Sequence, residues 1–379
     1  MGRLKIAVNC WVLRNKQLDG IGYFTVNVLQ HLIAVHPDVD FILLCDKNFD
    51  EPYFSGKNVS IQKIFPPYRH PLLYVFFMEC RLPFVLKKIK PDLLISAEGF
   101  CSLSSSCKQL PVIYDLNFEH DPKNLAWKNR IYFRFFFPKF CRKATRIVTI
   151  SEYSKNDITQ TYQINADKID NVSCGINPGF YPLTHAEIEK TRNGISEGKP
   201  YFFFIGSMHP RKNIHRLIEA FEIFKHKTNS EYKLVISGAI RWKTTEMKNR
   251  FENSAYKNDI IFTGRVSDQQ LHQYLGAAFA LAFVPIFEGF GLPVVEAFQA
   301  DVPVVCSNVT SLPEVAGDAA IMVNPYATEE IADGLAQMVN LTLNERAEKI
   351  QKGRERKLLF SWKNTADLIW KSVEKSIGL

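Results

Sequence analysis

Short apolar runs alternate with segments of helical periodicity through the second half of the chain. The runs typical of buried strands cover 201–205, 233–237, 260–262, 279–284, 303–306 and 320–323. The segments in which apolar residues recur every three or four positions cover 214–221, 269–276, 292–299 and 329–339. Strands that alternate with helices form a parallel sheet with helices on both faces, and ligands bind at the carboxyl ends of its strands. The pattern therefore predicts an α/β domain here.

One strand-to-helix turn in this half contains two glycines and lies between two glutamates. Its glycines let the backbone approach a ligand closely, and the N–H groups at the start of the helix can bind an anion. The carboxylates, one before the helix and one within it, can accept hydrogen bonds from sugar hydroxyls. The turn therefore predicts a sugar-nucleotide site. Its residues are Glu288, Gly289, Phe290, Gly291, Leu292 and Glu296.

A second strand-to-helix turn contains two adjacent basic residues. Gly206 follows the strand at 201–205, and Arg211 and Lys212 precede the helical segment that begins at Ile214. A guanidinium can bind a phosphate through two hydrogen bonds, and an ammonium adds a point charge. This pair suits a diphosphate that becomes a leaving group.

These motifs resemble those of the retaining glycosyltransferases of family 4, also called group 1. The family's glutamates, separated by seven residues, are matched by Glu288 and Glu296, and its basic loop is matched by the turn just described. Two later blocks of the family are matched at 303–305 and 312–320. The resemblance extends over nearly the whole chain. It implies the GT-B fold, an α/β arrangement of two Rossmann-like, doubly wound domains with an interdomain cleft.

The resemblance also implies a role for each matched residue. Arg211 and Lys212 would bind the donor diphosphate, Glu288 and the backbone of 289–292 the transferred sugar, and Glu296 the nucleoside ribose. Three of these residues, Arg211, Lys212 and Glu288, are catalytic candidates. The donor would be a nucleoside-diphosphate sugar, and no cofactor is expected.

Positions in the first half are assigned to the acceptor side by the same resemblance. The family's first glycine loop is similar to 19–22, which places Gly20 and Gly22 after a strand at 4–8 and before a helix at 23–32. We expect both glycines to lie in the turn between these two elements.

The family's His-Asp-Leu block is matched with one departure. Asp115 is retained and is a further catalytic candidate, whereas Tyr114 stands at the histidine position. A phenol can bind a sugar hydroxyl, but its reference pKa near 10 makes proton exchange at neutral pH unfavourable. His120 is a candidate substitute on the acceptor side.

Length and composition are compatible with two domains. A chain of 379 residues with 46% hydrophobic residues can form two cores. We expect an acceptor-binding domain at 1–180 and a donor-binding domain at 181–355. The segment 356–379 resembles the family's closing helix, which returns to the first domain.

Positive charge is concentrated in the first domain. Residues 1–180 contain 23 Lys or Arg against 16 Asp or Glu. The stretch 126–146 contains seven basic residues, seven aromatic residues and no acidic residue, and 64–90 is similar. This pattern suits an anionic membrane surface. The alternative is a core helix with one solvated face, and nucleic acid is not expected because no recognition module is present.

Metal and disulfide chemistry are not expected. Asp38 and Asp40 fit the DxD pattern of metal-using glycosyltransferases, but they directly precede a strand at 41–45 with no sugar-nucleotide motif around them. The eight cysteines lack metal-ligand spacing, and Cys101 and Cys107 are expected to be reduced because no secretory signal is recognised.

The sequence thus predicts a metal-independent retaining glycosyltransferase that assembles cell-surface polysaccharide on a saccharide or lipid-linked acceptor. It would be cytoplasmic, in peripheral contact with the inner face of the membrane. Two alternatives within the same fold are a nucleotide-sugar epimerase and a sucrose-type synthase. A third alternative is a catalytically silent nucleotide-sugar-binding subunit, which the departure at Tyr114 motivates.

Overall fold

The computed structural model describes residues 2–14, 18, 20–46, 53–65, 71–239 and 245–379. The chain folds as two compact units. One consists of residues 1–175 together with 361–379, and the other consists of residues 176–360. None of the helices in the described part of the chain is both long and apolar enough to cross a bilayer.

The first unit is built on parallel strands. They are β1 (Lys5–Asn9), β2 (Asp40–Cys45), β3 (Val59–Lys63), β4 (Leu93–Ser96), β5 (Gln109–Pro111), β6 (Ile147–Thr149) and β7 (Ile169–Asn171). Five of them form a sheet in the order β3-β2-β1-β4-β5. A single parallel bridge between Val112 and Val148 leads from β5 to the two-stranded sheet β6-β7.

The helices of the first unit include the last helix of the chain. They are α1 (Gly20–Val35), α2 (Pro71–Phe76), α3 (Leu82–Ile89), α4 (Asn117–His120), α5 (Trp127–Lys143), α6 (Glu152–Tyr162) and α15 (Trp362–Ile377). A π-helical turn at Phe77–Arg81 joins α2 to α3. Helix α15 packs on the first unit through α1, where the rings of His36 and Trp370 stack with centroids 3.6 Å apart.

The predicted start of the first helix was wrong by three residues. Helix α1 begins at Gly20, so Gly20 and Gly22 lie in its first turn and not in the turn before it. Gly22 is buried, and a Cβ there would lie 2.9 Å from Cδ2 of Leu18. The glycine at this position is therefore explained by close packing against the preceding residues, which periodicity alone could not indicate.

The second unit has one fully parallel sheet with the order β10-β9-β8-β11-β12-β13. Its strands are β8 (Tyr201–Ile205), β9 (Lys233–Ser237), β10 (Ile260–Gly264), β11 (Ala280–Phe283), β12 (Val304–Ser307) and β13 (Ala320–Val323). Its helices are α7 (His185–Ser196), α8 (Ile214–Thr228), α9 (Thr245–Glu252), α10 (Asp268–Gly276), α11 (Leu292–Gln299), α12 (Leu312–Ala316), α13 (Thr328–Asn340) and α14 (Leu343–Lys357). Each predicted strand and helix of this half is present. Their bounds lie within two residues of the prediction, except that α8 continues to Thr228, seven residues beyond the predicted end.

The core of the second unit explains why these segments form strands. Phe202, Phe203 and Phe204 in β8 are all fully buried, as expected for a strand covered by helices on both faces. Apolar residues of α8, including Leu217, are buried, and the ring of Phe224 in the same helix packs edge-on against that of Phe202 in β8 with centroids 5.4 Å apart. The predicted doubly wound α/β architecture is therefore confirmed in this unit.

Candidate active site

The sheet order brings the two sequence motifs of the second unit together. The chain order reverses between β8 and β11, which are hydrogen-bonded neighbours near the centre of the sheet. The basic turn follows β8, and the glutamate-containing turn follows β11. Because parallel strands end at the same edge, both turns lie at the point where such a sheet binds ligands.

Arg211, Lys212 and Glu288 meet at this edge in one charged cluster. Nη1 of Arg211 donates hydrogen bonds of 2.8 Å to Oε1 of Glu288 and to the carbonyl of Phe287. Nζ of Lys212 donates to the same carboxylate oxygen. Lys212 and Glu288 are only 7 and 8% exposed, so both charges depend on their partners.

The protonation state of Glu288 follows from these neighbours. Burial by itself would raise the pKa of this carboxyl group, but the charges of Arg211 and Lys212, and their hydrogen bonds, hold the pKa below its usual value. Glu288 is therefore ionised at neutral pH. Arg211 retains more exposure than Lys212, with 23% of its side chain accessible, so its guanidinium can still reach a ligand.

The basic turn is held in place by a buried asparagine. Asn213 is fully buried and adopts a left-handed conformation with φ of 61°. Its Nδ2 donates to the carbonyl of Val284, beyond β11, at 3.0 Å and to that of Pro325, beyond β13, at 2.7 Å. One side chain thus ties the turn after β8 to the ends of two other strands.

A neutral histidine supports the same turn. His209 is 9% exposed, and its Nδ1 accepts a hydrogen bond of 3.2 Å from the backbone N–H of Arg211. Burial, together with the charges of Arg211 and Lys212, lowers the pKa of His209 to about 4. The ring is therefore uncharged at neutral pH and, with Nδ1 as acceptor, carries its proton on Nε2.

The glutamate-containing turn is held by Ser311, which precedes α12. Its Oγ is 2.9 Å from the carbonyl oxygens of both Glu288 and Phe290. Gly291 caps α11 with φ of 109°, and a Cβ there would lie 2.4 Å from Cδ2 of Leu312. Both the conformation and the close packing require glycine at this position.

Glycines also form the contact between the turns after β8 and β9. A Cβ on Gly238 would lie 1.8 Å from the carbonyl oxygen of Gly206, so the two backbones touch directly. The amide of Gly206 donates to the carbonyl of Ser237 at 3.0 Å. The turn containing Arg211 and Lys212 therefore packs on bare backbone.

Glu296 lies in α11 and is not among the residues joined in the charged cluster. It is half-buried, and within the described ranges its carboxylate has no hydrogen-bond or ion-pair partner. Burial, with a smaller contribution from the charge of Asp268, raises the pKa of Glu296 to about 7. A ligand that donates hydrogen bonds to this carboxylate would favour its ionised form.

Three of the acceptor-side candidates, Tyr114, Asp115 and His120, lie in the first unit beyond the end of β5. Oδ1 of Asp115 accepts a hydrogen bond of 2.9 Å from the backbone N–H of Asn117, at the start of α4. The carbonyl of Tyr114 accepts one of 2.9 Å from Oγ of Ser154, and its ring packs edge-on against Phe24. Both residues are half-buried.

His120 is at the other end of the short helix α4. Its Nε2 lies 2.8 and 2.9 Å from the carboxylate oxygens of Asp157 in α6, and the histidine is exposed. The ring is thus oriented by a carboxylate, as a proton-exchanging histidine would be, but the same contact also joins α4 to α6.

The DxD-like pair lies at the wrong end of its strand for a ligand site. Asp40 is the first residue of β2, at the amino edge of the sheet, and its carboxylate is 3.0 Å from Nε of Arg3. The same guanidinium nitrogen donates to the carbonyl of Asp38. Within the described residues no group of three acidic, histidine or cysteine side chains could hold a metal ion. Cys101 and Cys107 do not form a disulfide.

Four residues that shape the site were not predicted from the sequence. They are His209, Asn213, Gly238 and Ser311. The asparagine directly after Arg211 and Lys212, and the glycine just beyond a predicted strand, were visible in the sequence as turn formers. Their long-range contacts were not, because they join positions more than 20 residues apart along the chain.

Comparisons with known proteins agree with this architecture. Residues 18–180 match the family described as Glycosyltransferase Family 4, and residues 186–356 match the family described as Glycosyl transferases group 1. The structure of Anabaena HepE in complex with UDP and glucose is similar, with a TM-score of 0.76, 14% identity, and coverage of 98% of this chain and 99% of that one.

Two curated bacterial proteins are similar in sequence. O-antigen chain mannosyltransferase B of Escherichia coli is 32% identical over 222 residues, or 58% of each chain. O-antigen chain mannosyltransferase RfbU of Salmonella typhimurium is 26% identical over 217 residues, or 57% of each chain. The matched region therefore spans less than two thirds of these relatives. The sequence relatives, the two family matches and the two units with parallel sheets all agree. The chain therefore belongs to glycosyltransferase family 4, the group 1 glycosyltransferases, and has the GT-B fold.

Proposed function

We propose that this protein is a retaining glycosyltransferase. It moves a sugar from a nucleoside-diphosphate sugar to a saccharide or lipid-linked saccharide during assembly of a cell-surface polysaccharide. The observation that supports this best is the cluster of Arg211, Lys212 and Glu288 at the ends of β8 and β11. Two cations fixed at a ligand-binding edge can neutralise a diphosphate as it leaves.

The reaction is a substitution at the anomeric carbon. The bond from this carbon to the diphosphate oxygen breaks, and the acceptor hydroxyl forms the new bond from the same face. The acceptor proton passes to the departing phosphate. The protein contributes charge and position: Arg211, Lys212 and the N–H groups at the start of α11 meet the developing negative charge, so no metal ion is required.

Glu288 has two functions in this proposal. Before the donor binds, it holds the two cations in place, since all three charges are hydrogen-bonded together. When the diphosphate takes over these cations, the carboxylate becomes available to the hydroxyls of the transferred sugar. Glu296, on the next helix, accepts hydrogen bonds from the ribose.

Mannose is the donor sugar that we propose. Both curated relatives described above are mannosyltransferases of O-antigen chains. Their activities also favour transfer to a saccharide over the epimerase, sucrose-type synthase and silent-subunit alternatives. An epimerase would convert the donor without an acceptor, whereas a transferase needs one for sugar transfer.

The acceptor side is assigned to the first unit, with Tyr114, Asp115 and His120 as its candidates together with the α1 start at Gly20 and Gly22. A lipid-linked acceptor presents its sugar at the cytoplasmic leaflet. We therefore place the protein in the cytoplasm, in peripheral contact with the inner face of the membrane.

A thermal-shift screen of nucleoside-diphosphate sugars tests the donor assignment. A ligand at about 100 times its dissociation constant stabilises a protein by about 2.7 kcal/mol. Mannose donors should raise the melting temperature more than other hexose donors with the same base. NMR of the product should then show that the anomeric configuration of the donor is retained, and an inverted product would refute the mechanism.

A further inference from the structure

Three large apolar side chains form an exposed stripe along α5. Trp127, Ile131 and Phe135 are 61, 58 and 56% exposed. Because they are four residues apart, they lie along one face of the helix. We call these three residues the α5 stripe. The opposite face packs into the core through Tyr132, Phe137, Phe140 and Cys141.

The sequence left open whether the aromatic residues of 126–146 belong to the core or to a surface. In the structure, some of these aromatic residues are buried in the core and others are exposed at the surface. A core helix with a solvated face explains the buried set but not the α5 stripe, since a solvated face would be polar.

Cations flank the α5 stripe. Nζ of Lys139 lies 3.2 Å from the ring centroid of Phe135, and Nζ of Lys128 lies 5.7 Å from that of Trp127. Neither lysine forms an ion pair within the described part of the chain. Arg134, in contrast, is paired with Glu119 at 3.0 Å. The net charge beside the stripe is therefore positive.

Helices α2 and α3 also have exposed apolar and cationic side chains. Helix α2 contacts α5, and the rings of Tyr74 and Tyr132 are 5.9 Å apart. Phe76 and Phe84 are 46 and 63% exposed on the α2–α3 segment. Lys87 and Lys88, in the last turn of α3, are also exposed. The α2–α3 segment therefore has the same combination of exposed apolar and cationic side chains as α5, and it packs on α5 through Tyr132 of the buried face.

We propose that the α5 stripe inserts into the headgroup region of an anionic lipid bilayer and docks the first unit on it. Helices with large apolar residues on one face and cations beside them bind at this depth. Single-stranded nucleic acid fits less well, because Ile131, at the centre of the stripe, cannot stack on a base as an aromatic ring does. This proposal rests on the proposed function, because a lipid-linked acceptor would be presented at the same membrane surface.

Insertion differs from simple electrostatic attraction in its response to salt. Attraction between exposed charges is screened beyond a Debye length of about 8 Å at physiological ionic strength. Burial of the α5 stripe is not screened in this way. We therefore expect binding to fall with salt but to persist at a level that depends on the three apolar residues.

Vesicle flotation with the full chain tests this proposal. Wild type should bind vesicles that contain phosphatidylglycerol and bind poorly to pure phosphatidylcholine. The triple variant Trp127→Gln, Ile131→Gln, Phe135→Gln should lose at least about tenfold in partitioning, because three large apolar side chains no longer leave water. A control is Leu343→Gln, Leu358→Gln, Leu359→Gln, which changes three apolar residues of the second unit that are at least as exposed as the α5 stripe, and it should bind as wild type does.

A second measurement does not depend on the triple variant being folded. Lipids brominated in the acyl chain should quench the tryptophan fluorescence of wild type, and Trp127→Phe should bind normally but lose most of that quenching. Equal binding of wild type and the triple variant, equal quenching of wild type and Trp127→Phe, or no binding at all would overturn the proposal. Donor affinity of the triple variant, measured in the same preparations, should be unchanged, so failure of docking and failure of the transferase assignment are distinguishable.

Discussion

The guanidinium of Arg211 lies 2.8 Å from the carboxylate of Glu288, although the two residues are 77 positions apart in the chain. The contact forms because β8 and β11 are neighbours in the sheet. It joins a residue proposed to bind phosphate to one proposed to bind sugar, so changes at one of them are expected to affect the other.

Arg211→Ala and Lys212→Ala should each lower sugar transfer by about ten- to a hundredfold. Each change removes a charge-assisted contact of about 1.5–3 kcal/mol from the transition state. Lys212→Ala should also lower the free energy of unfolding by about 1–3 kcal/mol, because it leaves the buried Glu288 with one partner fewer. Steady-state kinetics and denaturant unfolding of both variants measure these effects.

Lys225→Ala is a matched control for these variants. Lys225 is a buried lysine of the same unit, paired with Asp259 at 2.8 Å, and it lies outside the proposed site. Its replacement should reduce stability while kcat/KM of the remaining folded protein stays near that of wild type. Near-normal transfer by both Arg211→Ala and Lys212→Ala would contradict the diphosphate assignment.

The two glutamates should differ in their effects. Glu288→Gln should mainly reduce kcat, because it removes the charge beside the transferred sugar and the acceptor that orders both cations. Glu296→Gln should mainly weaken binding of the nucleotide. If calorimetry showed equal affinity of wild type and Glu296→Gln for the free nucleoside diphosphate, the ribose assignment would be wrong.

Donor affinity should rise with pH through about 7. The donor-free protein holds the pKa of Glu296 near 7, and ribose hydroxyls donate best to its ionised form. Deprotonation as the pH rises therefore favours binding. Calorimetry with a nucleoside-diphosphate sugar from pH 5.5 to 8.5, a range of about 1.5 units on each side of that pKa, should show this step in wild type and not in Glu296→Gln.

Asn213→Asp should impair both stability and turnover. Aspartate keeps the size of the side chain but cannot donate to the carbonyls of Val284 and Pro325, and each unpaired buried group costs about 1–3 kcal/mol. The turn with Arg211 and Lys212 then loses its anchor. Asn229→Asp is the control, since Asn229 is also left-handed but exposed, with φ of 46°. It should unfold at nearly the wild-type denaturant concentration.

Transfer activity should survive an excess of chelator. In the proposed mechanism, fixed cations and backbone amides meet the charge of the leaving group. Asp40→Asn, which alters the DxD-like pair, should likewise leave kcat/KM unchanged, because that carboxylate is paired with Arg3 at the amino edge of its sheet. Activity that is lost with EDTA and restored by magnesium or manganese would refute metal independence.

The architecture of the second unit could be predicted from the sequence alone. Apolar runs and helical periodicity indicate burial. A parallel sheet that is buried on both faces therefore produces a regular alternation of apolar strands and amphipathic helices along the chain. The turns containing Arg211, Lys212 and Glu288 could be recognised for the same reason, because glycines and charged residues directly follow the predicted strands.

Which of these residues interact depends on the packing of the folded chain. Strand order brings Glu288 to the two cations, and one side chain of Asn213 joins the ends of strands that are distant in sequence. The tertiary structure also shows which residues of α5 are exposed in the α5 stripe and which aromatic residues of the same helix are buried. Composition alone cannot make this distinction. Contacts of this kind depend on how distant segments of the chain pack together. Local sequence patterns indicate burial but not which distant residue each side chain contacts.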